Sequence, residues 1–229
     1  MKFLLTNDDG IDSPGIKALE AAASRIGQVT VIAPDGELTG CSHRVTSHEA
    51  LNVTERSPRH YAVDGTPADC VRLGLVHLAK DADWVLSGVN DGANLGINLL
   101  MSGTLAATRE ATLFERSAIG LSHYRRSGQV VDWEAATEAT ERVLRELLAK
   151  TPTPRAYWNV NFPAVLTEGK RGVCYCEVDQ NPLPVEYRDE NSSYRYCGVY
   201  PERKRTTGTD VDVCFSGSIA VSLVNVTIS

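Results

Sequence analysis

The sequence predicts an α/β fold: a mainly parallel sheet covered by helices on both faces, with β-hairpin excursions and a β-rich C-terminal appendage. Three observations predict it. Short continuous apolar runs alternate with stretches of helical periodicity as far as residue 165. Ser13-Pro14 and Thr66-Pro67 each combine a helix cap with a proline suited to the first helical turn. Beyond Pro163, short β-like pieces follow one another without helices between them. Strands alternating with helices place those strands side by side and parallel, with helices on both faces. The 229 residues suffice for one well-buried domain, divided as an α/β core over 1–165 and an appendage over 166–229.

In chain order, Phe3-Leu4-Leu5 is too continuously apolar for a half-exposed strand and suits one buried on both faces. Turn residues 7–10 follow. A helix then starts after Ser13, carries Ile16, Leu19 and Ala23 on one face, and ends at Gly27. Residues 29–33 make a second strand, closed by Pro34. The stretch 44–63 reads as a β-hairpin excursion. A helix begins at Thr66-Pro67 with Val71, Leu75 and Leu78 facing inward, and 83–87 is another strand. Helix 104–114, strand 118–121 and a long helix over 132–150, striped by Val143, Leu144, Leu147 and Leu148, complete the core. In the appendage, β-like pieces fall at 171–178, 194–200, 211–215 and 219–228.

Composition narrows the function. With 23 basic and 29 acidic residues the net charge is -6, unlike a chain that captures a nucleic acid polymer through a basic face. The short apolar start lacks the core of a signal peptide, and no run approaches the ~20 apolar residues of a membrane span, so a cytoplasmic location without membrane contact is expected. The six cysteines form no C-x-x-C pair, and His43, His48, His60, His77 and His123 show no metal spacing; reduced thiols and no zinc site are expected.

Ligands of an open parallel sheet bind beyond the carboxyl ends of its strands. Three loops leave that edge with unusual polar content. Asn7-Asp8-Asp9-Gly10 sets two carboxylates side by side, a costly repulsion that a cation removes; oxygen ligands suit Mg²⁺ or Mn²⁺. The competing reading is a turn and helix cap. The loop 35–42 offers the Thr39 and Ser42 hydroxyls beside Gly40. The loop 87–104 supplies Asn90, whose amide oxygen can meet a metal, Asn94, which can donate to a phosphate, and Ser102-Gly103-Thr104 at a helix N-terminus that favours an anion.

Together these motifs resemble the SurE family, the stationary-phase survival proteins that act as 5′/3′-nucleotidases. The resemblance rests on Thr6-Asn7-Asp8-Asp9-Gly10, Pro14-Gly15-Ile16, Ala33-Pro34-Asp35 with Thr39-Gly40, and Gly65-Thr66-Pro67-Ala68-Asp69-Cys70. Ser87-Gly88-Val89-Asn90, Asn94-Leu95-Gly96, Ser102-Gly103-Thr104, Asn159-Val160-Asn161 and Gly208-Thr209-Asp210 extend it along nearly the whole chain. It implies a Rossmann-like three-layer domain, a β-hairpin used in homodimer or homotetramer assembly, and one divalent metal ion (Mg²⁺ or Mn²⁺) per subunit. By resemblance the metal ligands are Asp8, Asp9, Thr39 and Asn90, with Asp8 the catalytic carboxylate. Phosphate contacts fall on Asn94, Ser102, Gly103 and Thr104. The substrate implied is a nucleoside 5′-monophosphate, with 3′-monophosphates as a further substrate. Polyphosphate or another small phosphoester, or nucleotide sensing without turnover, are the rival readings. The chain departs from the family pattern in having Thr39 where serine is usual, Gly36 where a basic residue is common, and Ile97-Asn98 where an acidic pair often stands.

Overall fold

The computed structural model describes residues 1–150, 155–166 and 172–226. Its centre is a nine-stranded sheet. The strands are β1 (Lys2–Thr6), β2 (Gln28–Pro34), β3 (Val53–Ser57), β4 (His60–Val63), β5 (Trp84–Asp91), β6 (Ser117–His123), β7 (Ala156–Phe162), β8 (Val173–Tyr175) and, near the end of the chain, β11 (Ile219–Asn225). Their order across the sheet is β3-β4-β2-β1-β5-β6-β7-β11-β8. From β4 to β7 every neighbouring pair is parallel. The short strands β9 (Tyr187–Asp189) and β10 (Tyr194–Tyr196) form a separate antiparallel pair.

Alternation along β1 divides the core into its two layers. Phe3 and Leu5 point into a cluster with Ile16 and Leu19 of α1 (Pro14–Ser24) and Val143, Leu144 and Leu147 of α4 (Trp133–Leu147). Leu4 points to the other face, among Val71 of α2 (Pro67–Leu73), and Leu105 and Ala111 of α3 (Gly103–Leu113). A strand with helices on both faces has no solvent side, which is why its sequence is continuously apolar. The predicted caps are in place. The Ser13 hydroxyl accepts the Ile16 N–H at 3.4 Å, and Thr66 forms a reciprocal capping box with Asp69.

The hairpin expected within 44–63 is the β3–β4 edge of the main sheet, because β4 pairs in parallel with β2. Strand β5 continues past the predicted end at Ser87 to Asp91, with a register shift against β6 between Ser87 and Asn90. The stretch 211–215, expected as a strand, is a helix instead: α5 (Asp210–Phe215). Val211, Val213 and Cys214 are all buried, and five residues are too few to separate a helical from a strand period. Within the segment after 166, β11 lies antiparallel to β7 and β8 flanks β11, so two strands widen the central sheet. Residues 171 and 227–228 of the expected strands lie outside the described residues. No helix among those described is long and apolar enough to cross a membrane.

Candidate active site

The strand order reverses between β1 and β5: the chain leaves β1 towards β2 on one side and β5 towards β6 on the other. Such a switch point opens a crevice beyond the carboxyl ends of the two strands. The loops after β1 and β5 meet there, and the turn before α3 and the loop 35–42 complete a cleft of about 920 Å³. Asp8, Asp9, Thr39, Asn90, Asn94, Ser102 and Gly103 all line it. Seven of the eight residues singled out by sequence therefore share one cavity; the eighth, Thr104, lies directly behind Asp8.

Asp8 is nearly buried. Its Oδ1 accepts a 2.5 Å hydrogen bond from the Thr104 hydroxyl, and its carbonyl accepts the Leu38 N–H at 2.8 Å. Burial pushes the Asp8 carboxyl above its ordinary range, opposed by the Thr104 hydroxyl and nearby backbone N–H groups. Asp9 is pushed up to about 7, first by burial and then by the charge of Asp8; Asp91 and Glu37 add to it. Two raised carboxylates side by side are the electrostatic mark of a place that favours added positive charge. Asn7 anchors the turn from below, donating from Nδ2 to the Gly10 carbonyl at 2.9 Å and to Ser13 Oγ at 2.8 Å.

Asn90 donates from Nδ2 to the Gly92 carbonyl at 2.8 Å, which commits the amide nitrogen and leaves its oxygen for the cleft. Thr39 is exposed and donates its hydroxyl hydrogen to Glu37 at 2.7 Å, so the lone pairs of Thr39 Oγ1 remain. The oxygens of these two residues, with those of Asp8 and Asp9, could hold a hard cation. Among the described residues no three His, Cys, Asp or Glu side chains converge on one point, so any such ion would depend on neutral oxygens as well.

Ser102 caps α3, accepting the Leu105 N–H at 3.1 Å. Gly103 follows where the helix start touches the acid pair. A Cβ there would stand 2.8 Å from Asp8 Oδ2 and 2.9 Å from Cys41 Sγ, so a side chain would displace the Asp8 carboxylate and the Cys41 thiol. Thr104 is fully buried and turned from the cleft surface. Asn94 uses its amide nitrogen on Ser122 Oγ (2.8 Å) and Thr104 Oγ1 (3.4 Å). Its backbone is gripped by two amides of β7. Asn161 Oδ1 accepts the Asn94 N–H at 2.9 Å, while Asn159 and Asn161 donate to its carbonyl at 2.9 and 3.1 Å. Asn-x-Asn on a strand places both amides on one face, the signal that marks this grip in the sequence.

Sequence reasoning passed over other parts of the wall. Glu37 joins the acidic side, and Arg125, ion-paired to Asp91 at 2.8 Å, and Trp133 line the cleft too. Outside the cleft, the buried Glu110 accepts from His43 Nε2 at 2.7 Å and Arg72 Nε at 2.6 Å. Burial alone would raise Glu110; these two partners bring it below the usual carboxylate range. His43 follows shortly after Thr39, so Glu110 ties the Thr39 loop to α3. No spacing in the sequence joins residues 43, 72 and 110.

The family model described as "Survival protein SurE" matches residues 3–183. A relative from Synechocystis sp. is 44% identical over 227 residues, covering 99% of this chain and all of its own. A protein of Paramagnetospirillum magneticum named "5′-nucleotidase SurE" is 37% identical over 230 residues, covering 97% of this chain and 88% of its own. The crystal structure of the SurE protein from Aquifex aeolicus superposes with a TM-score of 0.89 at 30% identity, covering all of this chain and 95% of that one. With a cleft at the switch point, the ordered motifs around it and relatives matched end to end, this chain belongs to the SurE family.

Proposed function

We propose that this protein is a divalent-metal-dependent 5′-nucleotidase that hydrolyses nucleoside monophosphates to nucleoside and phosphate, with 3′-monophosphates as further substrates. The observation that carries the reading is the contact between the Asp8-Asp9 turn and the N-terminus of α3, which supports a cation held beside a phosphoryl group. The "5′-nucleotidase SurE" relatives of Paramagnetospirillum magneticum and Geobacter sulfurreducens support the substrate class.

The residues present suit a hard divalent ion. Asp8, Asp9, Thr39 and Asn90 would hold it: two carboxylates whose protonation is favoured only while nothing neutralises them, and two neutral oxygens left over from other hydrogen bonds. When bound, such an ion withdraws electron density from the phosphoryl group and lowers the pKa of an attached water. The chain's own residues do the rest. Thr104 fixes the Asp8 carboxylate in one orientation, at the point nearest the chemistry. The first turn of α3 presents backbone N–H groups and a positive dipole end to phosphoryl oxygens. Negative charge growing on those oxygens is stabilised by donors already in place. Asn94, held by Asn159 and Asn161, keeps Thr104 and Ser122 in register with the cleft.

The test is phosphate release from a panel of nucleoside 5′- and 3′-monophosphates with Mn²⁺ or Mg²⁺, repeated in excess chelator. Turnover that stops with the metal's removal is expected. Full activity of verified metal-free protein sinks the metal; no release from any nucleotide sinks the nucleotidase.

A further inference from the structure

The cleft is much larger than a phosphate group requires, and its lining changes character away from the acid pair. Among the described residues, Asp8, Asp9, Glu37 and Asp91 are its acidic side chains, and Arg125 is its one basic side chain. Arg125 engages Asp91 through Nε alone, with both side chains about two-fifths exposed, so the two terminal nitrogens of its guanidinium remain as donors. Beside this pair stands Trp133. Its indole packs over Gly15, where a Cβ would come 3.2 Å from the ring and 1.9 Å from the Val89 carbonyl oxygen. The indole is only partly buried, whereas Trp84 and Trp158 belong to the core. The chain gathers these groups from three places. Asp91 pairs with His123 across β5 and β6, the His123 ring lies 6.4 Å from that of Trp133, and Arg125 is two residues beyond His123.

We propose that this wall is the nucleobase subsite: Trp133 offers an aromatic face to the base, and Arg125 with Asp91 offers a donor and an acceptor to its polar edge. The proposal rests on the nucleotidase reading and deepens it. Every base has a π-face, so stacking on an indole tolerates different bases and favours the larger purines. The adjoining guanidinium and carboxylate can meet an edge that carries both hydrogen-bond acceptors and donors. The subsite therefore selects phosphoesters that carry a base over those that do not, and purine over pyrimidine nucleotides. It also explains how a net acidic cleft gains affinity for an anion: apolar contact far from the phosphate adds to binding without requiring more positive charge.

The experiment has two arms. In the first, kcat/KM is measured for AMP, GMP, CMP and ribose 5-phosphate in wild type, Trp133→Leu and Arg125→Gln. The ratio of AMP to ribose 5-phosphate should fall at least about five-fold in Trp133→Leu, the lower end of what losing one base stack costs, and less in Arg125→Gln. An unchanged ratio in Trp133→Leu overturns the subsite, even though nucleotidase activity stands. The second arm needs no turnover: AMP should quench indole fluorescence in wild type and ribose 5-phosphate should not, and Trp133→Phe should abolish the quench. Absent activity with an intact, Trp133-dependent quench overturns the nucleotidase and keeps the subsite; equal quenching by both ligands overturns the subsite. Trp133→Phe preserves an aromatic ring against Gly15, so it should restore most of the selectivity that leucine loses.

Discussion

The cleft at the β1/β5 switch point and the β9–β10 arm are built on opposite terms. In the cleft wall, buried polar atoms are used several times over. Thr104 joins Asp8 to Asn94, and Asn94 joins Ser122 to the amides of β7; just outside the cleft, Glu110 joins His43 to Arg72. In the arm, Tyr187, Tyr194 and Tyr196 lie more than half exposed, as do Val185 and, nearly so, Val199. A buried polar network is costly when half satisfied and rigid when complete, so it fixes one geometry. An exposed two-stranded pair fixes little by itself. The difference shows where this chain keeps its precision: the groups proposed to react stand at the ends of central strands within that network, while the arm carries exposed aromatic and apolar side chains.

The largest break in this contrast should come from Asp8→Asn. The side-chain shape is kept and one charge is removed, so the fold should survive while turnover falls by orders of magnitude, roughly 10³-fold. The melting-temperature gain on adding Mn²⁺ should also shrink, because a bound ion stabilises only a form that can hold it. Near wild-type phosphate release and an unchanged metal-induced shift would reduce the acid pair to a turn.

Gly15→Ala tests whether the cleft floor tolerates any change. The added methyl would meet the Val89 carbonyl oxygen at 1.9 Å, a backbone atom that cannot swing aside. Overpacking of this kind costs about 1–3 kcal/mol, which urea denaturation would register. A variant as stable as wild type would mean that α1 shifts freely over β5.

The pH dependence of stability follows from Asp9. Its pKa in the folded protein is raised to about 7, so between its ordinary acidic value and 7 the folded state binds more protons than the unfolded state. Asp9 therefore adds to the metal-free protein a stability slope that falls as pH rises from about 4 towards 7, opposite in sign to that of lowered carboxylates such as Glu110 and Asp179. Asp9→Asn should flatten that slope, and Mn²⁺ should offset it by neutralising the ionised pair. Melting curves across this range in wild type and variant check it; a stability difference between Asp9→Asn and wild type that does not change between about pH 4 and 7 contradicts the raised carboxylate.

At Thr39 a smaller effect is expected. Thr39→Val keeps the shape and removes the oxygen, so the Mn²⁺ concentration giving half-maximal turnover should rise, whereas Thr39→Ser should leave it close to wild type. Equal metal titrations for valine and threonine would remove this hydroxyl from the ligand set. The smallest effect belongs to the arm. Tyr194→Ser replaces a ring that is 68% exposed, so stability of the chain should move by no more than about 0.5 kcal/mol. If the arm serves the expected homodimer or homotetramer, sedimentation should show weaker assembly. A large loss of turnover at constant assembly would erase the contrast between arm and cleft.

Much of this molecule was fixed by local sequence. Continuous apolar runs such as 3–5 determine strands buried on both faces, and the Ser13 and Thr66 caps with their following prolines determine where α1 and α2 begin. These are short-range effects, decided by a residue's own torsions and its neighbours within a turn. The Asp8-Asp9, Asn90–Asn94 and Ser102–Thr104 groups were legible for the same reason, since each is a run of a few neighbouring residues at the end of a strand or the start of a helix. Tertiary structure alone decided the rest. The strand order β2-β1-β5-β6 creates the crevice in which those loops meet. Folding also brings Arg125 and Trp133 to the wall of that crevice, and Glu110 behind the Thr39 loop. It makes α5 a helix as well: the Asp210 carboxylate accepts N–H groups from Gly96 and Asp179 at 2.8 Å each, partners 114 and 31 residues away. A hydrogen bond across that separation leaves no period in the sequence, because it is set by where the sheet places the two segments and not by the residues between them.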